Sequence, residues 1–533
     1  MKKENDLRNQ DTKAVRPRLM SESEQQQEYN EKSKQTEEIT PAQCFINDIA
    51  LTTITMPRSN LEGSKSRKEF VVTSNRDMFP LDDSTLMQKG FYSDRHPRNL
   101  KRWSLQSVRD FKARGISIIT IRSVYEKILQ QFRTYIDFGD PRQHQLMAIW
   151  VIGTYFHRMF DSFPYIRVYG NFASGKTKTS QLAMEMAFNG ELTATSSASY
   201  TVRSIHDNNS SCGIDEVEKL GRDSDSQTLI SVYNSGYKKG AFVGKSEVTK
   251  DGGWNPKHFD AYAPKIFSGI KGLAPTLASR CIPIVMIRSQ DKELMNREIK
   301  AKDPRFQEIR DDLYILMMTH FKDVQGSYDT ISDKEILGRE WELWKPILSL
   351  SLLIDMDLFR DMRSMAIESQ KEKREELNDE IPTPKILKLL KIHIEGNRTG
   401  DDYYPIESVI DDTFLNADIN PYYEDFKWLE TSKAKSRWLG DEMRKIGLLR
   451  GATVQKKIGM KNRRCVRLKL EDIEKKSKIF NDEQPDTADT SLPITRLTDT
   501  EIVARISNDK FDKLPISKDA EESINDLFSE DEE

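Results

Sequence analysis

The stretch "RVYGNFASGKTKTS", beginning at Arg167, constrains this chain more than any other. Its spacing, Gly170-x-x-x-x-Gly175-Lys176-Thr177, is that of a phosphate-binding P-loop. Glycine is needed because backbone N–H groups must turn inward around a phosphate with no Cβ in the way. Lys176 is placed to reach the β- and γ-phosphates of ATP, and the Thr177 hydroxyl to ligate Mg²⁺. The helix opening at Thr177 points the positive end of its dipole at the same anion. Asn171, Phe172, Ala173 and Ser174, with Lys178 just beyond, complete the expected nucleotide-binding set. A chance match is expected in roughly 2% of chains of this length, so context decides. "YIRVY" before the motif suits a buried strand, and "KTSQLAMEMAFNG" after it has apolar residues at helical spacing. Strand, glycine-rich loop and helix follow in the order that phosphate binding needs.

With 533 residues the chain has room for about three domains. No apolar run approaches the ~18 residues that span a bilayer. "LMAIWVIGTYF" reads as a buried helix, and "MKKENDLRNQD" lacks the apolar core of a secretory signal. Four cysteines without a CxxC pair and seven unclustered histidines argue against a zinc site or disulfide framework. A soluble intracellular protein with no membrane partner is expected.

Residues 1–42 are polar and expected to be disordered. Residues 43–104 read as a small β-containing domain, and 105–162 as a helical segment. Alternating strands and helices over 163–290 predict a mainly parallel sheet. Residues 291–375 are a helical run, closed by the charged linker "QKEKREELNDE". A mixed segment follows at 383–473, and an acidic, disordered tail at 474–533. Asp82-Asp83 in "FPLDDST" has no partnering motif and reads as a loop rather than a polymerase centre.

An ATP-hydrolysing P-loop needs a carboxylate to orient Mg²⁺ and another to polarise water. "SSCGIDEVEKL" supplies Asp215 and Glu216 for these roles, although Cys212, Gly213 and Ile214 make an unusually weak strand before them. An ordinary acidic turn is the alternative. Ser268, at the end of "APKIFSGI", sits where a polar residue could sense the γ-phosphate. Arg280 in "TLASRCIPI" is placed to meet a neighbouring subunit's nucleotide as an arginine finger. The alternative is a surface arginine in an ion pair.

Together "GNFASGKT", "GIDEVEKL" and "TLASRCIPI" resemble an AAA+ ATPase, and Ser279-Arg280-Cys281 is similar to the arginine-finger motif of clamp-loader subunits. More narrowly, "TSSASYTVRSIHDNN", "VYNSGYKKGAFVGK", "APKIFSGIKGLAPTLASRCIPI" and "GREWELWKPILSLSLLI" resemble the helicase-like ATPase of primase/helicase proteins of plasmids, viruses and integrated elements. The resemblance covers roughly residues 135–355, with a looser echo over 383–470. It implies a P-loop sheet with a helical lid, a homo-oligomeric ring, and a nucleotide contact from Arg339, where the lid begins.

Two segments are candidates for nucleic acid. "NSGYKKGAFVGKSE" (234–247) fits a hairpin carrying Tyr237, Lys238, Lys239 and Lys245, which either lines a ring's pore or is simply solvated. Residues 433–469 hold thirteen Lys/Arg against only Asp441 and Glu442. There "TSKAKSRWLGDEMRKIG" reads as a helix offering Lys435, Arg437 and Arg444, followed by a basic wing with Lys457, Arg463 and Arg464. This predicts a winged-helix-like domain contacting DNA or RNA. From residue 471 onward nineteen Asp/Glu face eight Lys/Arg, so the net charge of −3 hides a sharp asymmetry. That tail could compete for the basic surface or bind a protein partner. The leading reading is an AAA+ motor on single-stranded or forked DNA. A protein-remodelling initiator or clamp-loader-like switch, and a non-enzymatic DNA-binding regulator, are the alternatives.

Overall fold

An apolar strand buried on both faces, such as the one before the glycine loop, needs parallel neighbours and helices on either side. A computed structural model of the chain describes residues 36–59, 65–98, 103–113, 119–194, 196–220, 223–248, 253–270, 273–380, 382–397, 400–412, 431–449, 454–458 and 460–481. It divides into two units, Met1–Ser369 and Gln370–Glu533. Among the described residues no helix is long and apolar enough to cross a membrane.

The first unit opens with β1 (Glu37–Glu38), β2 (Gln43–Ile46), β3 (Ile49–Ser59), β4 (Lys65–Thr73), β5 (Met78–Pro80), α1 (Asp83–Gln88) and β6 (Phe91–Tyr92). Strands β2-β3-β4-β5 form an antiparallel meander, and β1 pairs in parallel with β6. Ile39 and Ala42 are buried, so folding begins inside the stretch expected to be disordered to residue 42. The rest of that stretch, 1–35, lies outside the described residues. Asp82 is the N-cap of α1 rather than a loop residue, accepting from the Thr85 N–H at 2.9 Å.

Next come α2 (Leu105–Lys112), α3 (Ile121–Tyr135) and α4 (Arg142–Thr154). Thr120 and Ser123 form a capping box that starts α3. Helix α4 is buried continuously from Leu146 to Thr154, which is why its sequence is apolar all round.

The central sheet comprises β7 (Tyr165–Gly170), α5 (Lys176–Met186), β8 (Glu191–Thr193), α6 (Ala198–Asn208), β9 (Cys212–Ile214), α7 (Ser224–Ser235), the hairpin β10 (Phe242–Val248) and β11 (Trp254–Asp260), β12 (Lys265–Gly269), α8 (Pro275–Ala278) and β13 (Cys281–Met286). Its order is β13-β7-β12-β9-β8, with every pairing parallel. From β7 the chain runs to the far edge at β8, returns through β9 and β12, and crosses to β13. That reversal puts the topological switch point at β7, and open α/β sheets bind ligands at the C-terminal ends of the strands there.

Helices α9 (Lys292–Asn296), α10 (Pro304–Thr330), α11 (Gly338–Ile354) and α12 (Met356–Glu380) follow. Helices α10 and α11 pack on α3 and α4 in one helical layer, so the expected lid and the helical segment before the sheet are not separate bodies. The charged stretch read as a linker is helical and belongs to α12.

The second unit contains α13 (Pro382–Gly396), β14 (Tyr403–Pro405), α14 (Ile406–Ile410), α15 (Ser432–Lys445), β15 (Val454–Ile458), β16 (Lys461–Arg467) and α16 (Leu470–Asn481). Its antiparallel sheet has the order β14-β16-β15. Ile386, Leu390, Val409, Leu439, Met443, Val466 and Ile473 are buried in its core. Burial of Ile473 explains why the expected tail is helical to Asn481. Residues 482–533 lie outside the described residues.

Asp260, at the end of β11, is the hub of a buried charge cluster. Arg158 Nη1 lies 2.7 Å and Arg95 Nη1 3.3 Å from its Oδ2, and the Tyr262 N–H donates to Oδ1 at 2.9 Å. Burial pushes the carboxyl pKa up, but the two guanidiniums outweigh it and bring the value to about 2. Because the folded pKa is depressed, this stabilisation is whole above pH 3.8 and is lost as the pH falls towards 2. Asp260→Asn is expected to cost about 3 kcal/mol at neutral pH by stranding buried arginines. It should also remove this acid-sensitive component. Urea unfolding followed at neutral and acidic pH checks both.

Candidate nucleotide site

The glycine loop runs from the end of β7 to the start of α5. A Cβ on Gly170 would lie 2.1 Å from the Met286 carbonyl oxygen, so β13 leaves room only for glycine. Gly175 (φ 91°) and Ala173 (φ 57°) take left-handed backbone and turn the loop over. Lys176 Nζ donates to the carbonyls of Gly170 at 2.9 Å and Asn171 at 2.7 Å, and lies 3.4 Å from Ser174 Oγ. The ammonium thus lies across the loop, where a phosphate oxygen could replace those carbonyls. Phe172 projects outward, 80% exposed. Lys178 stands apart from this set: its Nζ donates to the Leu294 carbonyl at 2.7 Å and ties α5 to α9.

Asp215 follows β9 and accepts two hydroxyl hydrogen bonds. Thr177 Oγ1 donates to Oδ2 at 2.8 Å, and Ser268 Oγ donates to Oδ1 at 2.7 Å. Glu216 is exposed and takes a left-handed backbone (φ 54°), an uncommon conformation for a residue with a side chain. The weak strand before Asp215 has a steric reason. A Cβ on Gly213 would lie 2.8 Å from Met184 on α5 and from Leu192 on β8. Glu218 escaped sequence reasoning, because no local pattern marks it. Its Oε2 accepts from the Ile270 N–H at 3.3 Å and closes the end of β12.

These groups fit a magnesium nucleotide. The Thr177 hydroxyl and Asp215 carboxylate are hard oxygen ligands, Lys176 faces the phosphate position, and Glu216 adds a second carboxylate.

Arg280 lies elsewhere. Strand β13 starts with Cys281 beside Tyr165 and ends with Met286 beside Gly170. Arg280 is therefore roughly 20 Å from the glycine loop at about 3.3 Å per residue. Its Nη1 donates to the Thr276 carbonyl. Arg339, for which the resemblance implied a nucleotide contact, donates to Ser279 Oγ at 2.8 Å and shares Arg280's end of the sheet. It is out of reach of its own loop, because Ser279 precedes β13. Both guanidiniums lie over the Tyr237 ring, 4.9 and 5.4 Å from its centroid. Burial, and next the neighbouring Arg339, pull the Arg280 pKa down.

The hairpin expected at 234–247 starts later than its spacing suggested. Strand β10 begins at Phe242 and pairs with β11, placing Lys245 opposite Lys257. Tyr237 is only 6% exposed, Lys238 Nζ pairs with Glu342 Oε1 at 2.6 Å, and the Lys239 N–H donates to the Asp161 carbonyl at 2.8 Å. These three form a docked connection rather than a hairpin tip, because Asp161, Ser162 and Phe163 hold its backbone.

In the second unit Thr431 caps α15 by accepting from the Ala434 N–H at 3.1 Å. Arg437 and Arg444 are exposed and Lys435 is half-buried, with Arg444 paired to Asp441 at 2.6 Å. Strands β15 and β16 form a basic hairpin in which Lys456 faces Arg463, Lys457 faces Asn462 and Gln455 faces Arg464. Lys457, Arg463 and Arg464 are exposed.

The Thr177–Asp215 geometry predicts that Thr177→Val will erase the advantage of Mg²⁺ in nucleotide binding. A fluorescent ADP analogue titrated with Mg²⁺ and with EDTA should show a difference for wild type that shrinks about tenfold in the variant. Among solved structures the chain is similar to an active helicase, SCCmec type IV Cch, at 10% identity and a TM-score of 0.33, over 79% of this chain and 94% of that one. It is also similar to the apo C-terminal region of NrS-1, at 10% identity and a TM-score of 0.28, over 75% and 94% of the two chains. A third similar structure is Drosophila ORC bound to DNA, at 11% identity and a TM-score of 0.18, over 70% and 98%. No family model and no curated protein matches the chain.

Proposed function

We propose that the chain is an ATP-hydrolysing ring motor that moves along DNA, a helicase or translocase in the replication of a mobile or viral element. The observation that carries this reading is the convergence of Lys176, Thr177, Asp215 and Ser268 at one end of the sheet. Lys176 and the loop N–H groups would bind the phosphates, Thr177 and Asp215 would hold Mg²⁺, and Ser268 orients Asp215. The metal neutralises phosphate charge when bound. Glu216 would position a water whose oxygen bonds to the γ-phosphorus as the bond to the ADP oxygen breaks, giving ADP, inorganic phosphate and a proton.

Arg280 cannot serve its own loop, so it serves a neighbour's, and Arg339 goes with it. Head-to-tail contacts of this kind close into rings. DNA contact falls to the β10–β11 hairpin and to the second unit. There α13, β14, α14 and α15 followed by the β15–β16 hairpin support a winged-helix reading. Residues 433–469 carry eleven positive charges in excess, which suits a phosphate backbone. The mobile-element role rests on the sequence resemblance alone.

Steady-state ATPase assays with and without single-stranded DNA test the reading. DNA stimulation that vanishes in Lys176→Ala is expected. Turnover indifferent to DNA would favour a protein-remodelling switch, and no turnover with DNA binding intact would favour a regulator. Mixing inactive Lys176→Ala subunits with inactive Arg280→Ala subunits should restore activity, because about a quarter of the interfaces then join an intact loop to an intact arginine.

A further inference from the structure

We propose that Tyr237 is a positioning residue that aims the Arg280–Arg339 pair at the phosphates of a neighbouring subunit's nucleotide. The proposal rests on the reading of Arg280 as a residue acting on that neighbour. Three observations carry it. The Tyr237 ring is buried and lies under both guanidiniums. Its hydroxyl donates to Glu342 Oε2 at 3.4 Å, while the other oxygen of Glu342 holds Lys238 at 2.6 Å. The Tyr237 carbonyl accepts from the Phe163 N–H at 3.0 Å, and the Arg280 carbonyl accepts from the Tyr165 N–H at 3.1 Å. Ring and arginine are thus fixed to the same short stretch leading into β7.

The choice of an aromatic ring has a physical reason. Two like charges held together need an attractive partner. Among the described residues no carboxylate is in ion-pair distance of Arg280 or Arg339; the nearby Glu342 is engaged by Lys238 and Tyr237. A carboxylate would hold the pair more firmly, but it would also neutralise the charge that an incoming phosphate requires. The negative face of a ring attracts guanidiniums while leaving their charge in place. Arg280 Nε is buried without a hydrogen-bond partner among the described residues, so the guanidinium's donors are not used up within the chain.

The test measures ATP turnover, nucleotide affinity, DNA affinity and melting temperature in the full chain. Tyr237→Leu should lower kcat about tenfold while leaving nucleotide and DNA affinity unchanged, and Tyr237→Phe should retain most of kcat. The double variant Tyr237→Leu with Arg280→Ala should be no slower than Arg280→Ala alone, because the ring acts through that arginine. Should Tyr237→Leu melt early, Ser279→Ala decides, since it removes the hydroxyl that accepts from Arg339 and donates to the Thr276 carbonyl while leaving the ring in place, and should give a smaller fall in kcat. Full turnover in a folded Tyr237→Leu or in Ser279→Ala, or a DNA-affinity loss in place of a kcat loss, overturns the proposal. Undiminished turnover in Arg280→Ala instead overturns the reading beneath it.

Discussion

Asp215 ties together the end of the sheet that carries the glycine loop. Each of its carboxylate oxygens is taken by a hydroxyl, one from the helix that follows β7 and one from β12. Because β12 lies between β7 and β9, this one side chain links the ends of three strands. The bonds also keep a partly buried carboxylate satisfied without a ligand. A hydroxyl is well suited to this, since it can rotate from donating a proton to offering a lone pair to a metal. Glycines at 170 and 213 make the convergence sterically possible, one against β13 and the other against α5 and β8.

A parallel sheet has two unlike ends, and the chain uses both. Lys176, Thr177, Asp215 and Ser268 gather where the strands finish. Arg280 and Arg339 gather where β13 begins, with Ser279 and Tyr237 between them. The strand spacing separates the two sets by far more than an arginine side chain can span. In the proposed reading one subunit therefore carries two parts of a phosphoryl-transfer site that it cannot bring together. Assembly is thereby a requirement of the proposed chemistry rather than an addition to it.

The glycine loop was legible because its constraints are local: a left-handed Gly175, a Cβ-free Gly170 and a lysine one residue later. The parallel sheet was legible for a similar reason, since most of its buried strands, such as Tyr165–Gly170 and Lys265–Gly269, announce themselves by their own composition. What was not legible depends on partners distant in sequence. Tyr237, beside two lysines and two glycines, has the composition of a nucleic-acid hairpin. The residues that bury it, Arg280, Arg339 and Glu342, lie 43 to 105 positions away. The small residues before Asp215 looked like a defect in the strand until Met184 and Leu192 appeared against Gly213. The charged stretch after residue 370 carries helix-forming Lys, Glu and Arg, and its charge density masked that propensity.

Two arginine pairs in the first unit show how charge balance distinguishes structure from proposed chemistry. Arg95 and Arg158 converge on Asp260, whose carboxylate is held ionised against the penalty of burial. Their charge is answered inside the chain, and their task is to fix the base of the β10–β11 hairpin. Arg280 and Arg339 converge on a ring instead, with a serine hydroxyl and a backbone carbonyl as their other contacts. None of these partners carries negative charge. A pair held in place at an electrostatic cost, with its charge unanswered, is suited to an anion that comes from outside the chain. In the proposed ring that anion is the phosphate of the neighbouring subunit's nucleotide, and the cost is recovered only when the subunits are assembled around it.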